Sequence, residues 1–84
     1  MNKIELLKKY VSIAKEKCVG EGVRFEAFRY YDRTDGSYFD ICMSSIDKQG
    51  VKKYHKFLFR RDGDLFVCIN VKFDICPDEF IYRS

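Results

Sequence analysis

The stretch Lys56–Val71, KFLFRRDGDLFVCINV, sets two apolar runs on either side of an Arg-Arg-Asp-Gly turn. How its halves pair decides what the fold buries. With Asp62-Gly63 as a two-residue loop, Phe59 opposes Phe66 and Leu58 opposes Val67, which scatters the apolar residues over both faces. With Arg61-Asp62-Gly63 as a three-residue loop ending in a left-handed glycine, Phe59 pairs with Leu65 and Phe57 with Val67. The second pairing gathers the hydrocarbon on one side and is the reading adopted.

Two other turns share this form, TDG at 34–36 and KQG at 48–50. The same loop in all three hairpins gives four antiparallel strands in a meander. Odd-numbered residues then share one face: Phe25, Ala27, Phe39, Ile41, Met43, Phe57, Phe59, Leu65, Val67, Ile69 and Val71. That face needs a cover, and the chain supplies one before its first strand. In NKIELLKKYVSIAKEKCVGEG, residues 2–22, Ile4, Leu7, Val11, Ala14 and Cys18 recur every three or four positions, and Leu6, Tyr10 and Ile13 widen the stripe. Asn2 is placed to cap this helix, with Glu5 completing a capping box, and Gly20 or Gly22 to end it. The predicted fold is α+β, an N-terminal helix on one face of a four-stranded antiparallel meander. In the tail DICPDEFIYRS, Pro77-Asp78-Glu79 resembles a first helical turn, while Phe80, Ile81 and Tyr82 call for a docking place.

The 84 residues suffice for one domain, 1–84, and its 46% hydrophobic content is that of a folded chain. So small a core gains from a second copy or a bound partner, so both a monomer and a homodimer are compatible with it. The net charge of +3 is unevenly spread, since Lys52–Arg61 alone holds five Lys and Arg with no acid, whereas residues 62–84 hold two against five acids. The basicity is a local band, compatible with a polyanion but short of a strongly basic protein. No apolar run reaches membrane-span length, and MNKIELLKKY lacks a signal-peptide core, so a cytoplasmic protein is expected, with no membrane contact. Cys18, Cys42, Cys68 and Cys76 are then expected as thiols, and no CxxC spacing suggests a metal.

The even-numbered face carries the functional expectation. It sets Lys52, Lys56 and Arg60 in a column among Phe28, Tyr30, Tyr38, Tyr54, Leu58 and Phe66. Aromatics with Lys and Arg on an open sheet face suit a partner, unless the tail covers them. Catalysis is not expected: His55 falls on the odd face, away from Cys42 and Cys68, and Asp32, Asp35, Asp62 and Asp64 lie in turns. No phosphate loop or nucleophile elbow is present in the sequence, and no cofactor or metal is implied. The leading expectation is a non-enzymatic protein-binding module that docks through Tyr30, Tyr38, Tyr54, Lys56, Arg60 and Phe66. In size and character it is similar to the small inhibitors that phages and mobile elements carry against host defence proteins. The alternative is a single-strand nucleic-acid binder that uses the same face.

Overall fold

In the computed structural model, which describes residues 3–76, the chain runs α1 (Lys3–Lys17), β1 (Glu21–Arg33), β2 (Gly36–Ile46), β3 (Lys52–Asp62) and β4 (Leu65–Ile75). The strands form one antiparallel sheet in the order β1-β2-β3-β4, with α1 across one face. This is the expected α+β meander. Asn2 and the tail from Pro77 lie outside the described residues.

The central hairpin follows the sequence reading residue for residue. Phe39 pairs with Phe59, Ile41 with Phe57, Cys42 with Lys56 and Ser44 with Tyr54. Its loop closes as expected, with Gly50 left-handed at φ 79° and Asp47 N donating to Val51 O at 3.0 Å. The Asp47 carboxylate accepts from the N–H groups of Gln49 and Val51 at 2.9 Å, which holds the turn.

The two outer strands depart from the reading by an odd number of residues, one for β1 and three for β4. The first hairpin turns on Thr34-Asp35, with Arg33 opposite Gly36. The last turns on Gly63-Asp64, with Asp62 opposite Leu65 and Phe59 opposite Cys68. An odd shift reverses every side chain. Phe28, Tyr30, Phe66 and Cys68, expected outside, therefore lie on the helix side, while Ala27, Leu65, Val67 and Ile69, expected inside, face outward. The reason is bulk, since an aromatic ring removes more apolar surface from water than Ala or Val in the same place. Bulges between Phe25 and Ala27 and at Ile69 then restore the original parity, so Val23 and Val71 still reach the core.

The core is aromatic. Phe39, Ile41, Met43, Phe57 and Phe59 are all at most 1% exposed. Phe39 and Phe59 stack at 4.8 Å, and Tyr10 of α1 meets each edge-on at 5.2 Å. The Tyr10 hydroxyl accepts the backbone N–H of Phe66 at 2.8 Å, tying the helix to β4. Tyr10 and Ala14, one helical turn apart, are the buried centre of α1, and Leu6, Val11, Ile13 and Cys18 flank them. Ile4, expected in the stripe, is 65% exposed. The helix stops at Lys17, and Gly20 follows at φ 109°, where a Cβ would stand 2.8 Å from the Ile46 carbonyl oxygen. Only glycine lets the chain pass that close to β2.

Candidate functional site

On the outer face much of the middle strands is buried too, although α1 lies on the other side. Tyr38, Asp40, Cys42, Ser44 and Lys56 are all at most 8% exposed. The face holds a trough of about 880 Å³ lined, among the described residues, by Arg29, Tyr30, Tyr31, Arg33, Tyr38, Asp40, Lys56, Leu58, Ile69, Asn70 and Lys72. Among these, four cations surround one carboxylate.

That carboxylate organises the β1 side. Arg29, directly across the ladder from Asp40, is ion-paired to its Oδ2, and the Tyr31 hydroxyl donates to Oδ1 at 3.4 Å. Burial and then the Asp40 charge push the Tyr31 phenol above its usual range, so it stays a donor. Tyr31 and Tyr38 stack at 5.8 Å. The Arg33 guanidinium lies over both rings, at 5.2 and 5.7 Å, and Arg60 lies over Tyr38 at 5.8 Å. At the rim, Tyr38 donates to the Asp35 carboxylate at 2.8 Å, which holds that carboxyl below its usual range and raises the phenol. Arg60 donates to the Asp35 carbonyl at 2.7 Å.

The other end of this face is quieter. Glu26 accepts from the Ser44 hydroxyl at 2.6 Å and pairs with Lys52 at 3.2 Å; the Ser44 bond, followed by Lys52, lowers the Glu26 carboxyl. Ile75 turns onto this face after Asp74, which takes a left-handed φ of 56°, and packs against Cys42, Ala27 and Tyr54. Burial, then the Glu26 charge, pushes the Cys42 thiol up to about 11, so it stays protonated at neutral pH. Lys56 beside it does not make it a thiolate.

Of the six residues expected to bind a partner, the structure brings Tyr38, Tyr54, Lys56 and Arg60 to the outer face. Tyr30 and Phe66 go to the helix side, where their rings meet edge-on at 6.2 Å. Lys53 and Arg61 lie toward the ends of that side; Lys53 reaches Asp74 at 3.4 Å and Arg61 donates to the Gly63 carbonyl at 3.0 Å. Sequence reasoning missed Arg29, Tyr31 and Arg33. Their period-two spacing in RYYDR was the available signal, hidden by the one-residue shift of β1.

His55, on the helix side, is built into the frame. Its Nδ1 accepts the Asp74 backbone N–H at 3.1 Å, which fixes the proton on Nε2; that nitrogen donates to Ser45 Oγ at 2.8 Å, and Ser45 donates to the Val19 carbonyl at 2.8 Å. The chain from Asp74 to Val19 links β4, β3, β2 and the end of the helix connection.

Among the described residues, no group of His, Cys, Asp or Glu has the spacing of a metal site, and no helix is long and apolar enough to cross a membrane. The sequence matches no protein family and no curated protein, and the fold matches no solved structure.

Proposed function

We propose that the protein is a non-enzymatic binding module that accepts an acidic segment of a partner protein in the outer-face trough, as an inhibitor or adaptor does when it works by occupying a surface. The observation that carries this reading is the convergence of Arg29, Arg33, Lys56 and Lys72 on one concavity in which, among the described residues, Asp40 is the one carboxylate and is paired with Arg29. Among the described residues the lining thus carries more positive than negative charge, beside the apolar side chains of Leu58 and Ile69. A partner's carboxylates would meet guanidinium and ammonium groups in a shielded place, where such pairs are stronger than on open surface. Arg and Tyr are also the side-chain types that anchor protein interfaces.

The placement of aromatics favours a protein over a single nucleic-acid strand. Phe28, Tyr30 and Phe66 have turned to the helix side, and Tyr38 is buried with Arg33 and Arg60 over its ring. Few faces remain on which bases would stack.

The exposed rim residues Arg33 and Arg60 provide the test. Affinity capture from native cell extract, with and without nuclease, compares the natural chain with the Arg33→Glu/Arg60→Glu variant, whose fold is checked by circular dichroism. The expected result is a protein that survives nuclease treatment and is lost with the variant. Retention that vanishes with nuclease and falls steeply with salt would replace this reading with the nucleic-acid one; retention unchanged in the folded variant would remove the trough from the function.

A further inference from the structure

At its end β4 bends onto the outer face. Asp74 holds a left-handed φ of 56°, a conformation that a residue other than glycine keeps only where its surroundings impose it. Here they do, since His55 Nδ1 takes the Asp74 N–H at 3.1 Å and Lys53 reaches the Asp74 carboxylate at 3.4 Å. The bend lays Ile75, 8% exposed, opposite Tyr54 and in one cluster with Cys42. The described chain therefore ends at the outer face, the side away from α1.

From that end the face presents its residues in a fixed order. Ile75 pairs with Tyr54, the next outward row pairs Lys72 with Lys56, and the one after pairs Asn70 with Leu58, beside which Ile69 lines the trough. Two lysines thus come first and apolar side chains second. After Cys76 the sequence reads PDEFIYRS, with Asp78 and Glu79 first and Phe80, Ile81 and Tyr82 second. The two orders are complementary in charge and then in hydrophobicity when the segment runs back along the face. Pro77 has no N–H with which to continue the β4 ladder and suits a reversal at that point. Reach is ample: Leu58 lies two rows beyond Tyr54, about 13 Å along the strand, and residues 77–84 span up to about 26 Å when extended.

We propose that in the free chain residues 77–84 fold back along the outer face and fill the trough, with Asp78 and Glu79 against Lys56 and Lys72 and the run Phe80–Tyr82 over Leu58 and Ile69. The segment is then a strap that an acidic partner must lift. The docking goes beyond the proposed function and holds whether or not a partner exists; only the lifting rests on that function.

NMR spectroscopy of the full chain alone tests the docking. Nuclear Overhauser contacts are expected between the side chains of Phe80, Ile81 and Tyr82 and the methyl groups of Leu58 and Ile69. Asp78→Asn/Glu79→Gln removes the charge match without adding charge and should lower these contacts severalfold, while those among Phe39, Phe57 and Phe59 persist and report an intact fold. A natural chain without the contacts overturns the proposal. So do contacts made instead to helix-side residues such as Phe28 and Val71, or contacts unchanged in the variant. In the capture experiment above, the same variant should retain severalfold more of the protein held by the natural chain, because the tethered competitor has left; equal retention overturns the strap. Retention of no protein by either chain would fail the proposed function and not the docking, which the NMR contacts decide.

Discussion

The two faces of this sheet are equally dry at their centres and are held by different physics. On the helix side Phe39, Ile41, Phe57 and Phe59 are buried because α1 covers them, and their stabilisation comes from apolar area removed from water and from ring contacts. On the outer side Asp40, Ser44 and Lys56 are buried on the face away from α1, among polar and charged side chains. A fully shielded carboxylate is tolerable only while its partners stay in place. Equal exposure therefore hides unequal consequences, because removing a methylene on one side leaves a void and removing a charge on the other leaves an unbalanced one.

The largest effect belongs to the helix side. Phe57 is 0% exposed at the centre of the cluster, and Phe57→Ala should lower the unfolding free energy by about 3–5 kcal/mol through lost transfer energy and the cavity left behind. Denaturant titration reads this directly. For so small a domain the loss takes up much of the total stability. A cost below 1 kcal/mol would mean that the sheet closes over the void and that the core is less tightly packed than its rings imply.

The next effect belongs to the outer side. Asp40→Asn keeps the shape of the side chain but removes the carboxylate that Arg29 pairs with and Tyr31 donates to. Breaking a shielded pair from one side should cost roughly 3 kcal/mol, since the guanidinium loses the Asp40 charge. Adding Arg29→Leu to that variant should recover part of the loss, which the Phe57→Ala void cannot do by deletion of a neighbour. A double variant no more stable than Asp40→Asn alone would show that Arg29 contributes packing along its stem more than charge.

The same contrast explains what could be read from the sequence. The central hairpin was legible because its alternation is unambiguous: Phe39, Ile41 and Met43 against Phe57 and Phe59 admit one register, and the KQG loop fits it. The outer strands were not, because apolar residues occupy both parities. FVCIN offers Phe66 and Cys68 or Val67 and Ile69 to the core with nearly equal claim, and FEAFRYY does likewise. The choice was made by Tyr10, whose ring meets Phe66 and whose hydroxyl takes the Phe66 N–H, a contact across 56 positions that no local pattern contains. The trough was half legible for the same reason: Tyr38, Lys56 and Arg60 came with the central hairpin, while Arg29, Tyr31 and Arg33 came with a register set by the helix.

The smallest effect tests the one polar inlay on the helix side. Burial holds His55 below its ordinary pKa, and the nearby Asp74 carboxylate opposes this only in part; the neutral ring is also the form its bonds require, because Nδ1 accepts from Asp74 N. Above about pH 6.5, the ordinary value, folded and unfolded histidine are both neutral and the contribution is fully present. As the pH falls below that value the unfolded chain takes up a proton first, so stability declines until the folded ring also titrates. Lys53, paired with Asp74 at 3.4 Å, belongs to the same neighbourhood. The unfolding free energy of the natural chain should therefore fall more steeply between pH 7 and about 5 than that of His55→Gln, by less than either substitution above costs. Parallel pH profiles would mean that the ring titrates alike in both states, and that protonation is absorbed by letting Asp74 N go.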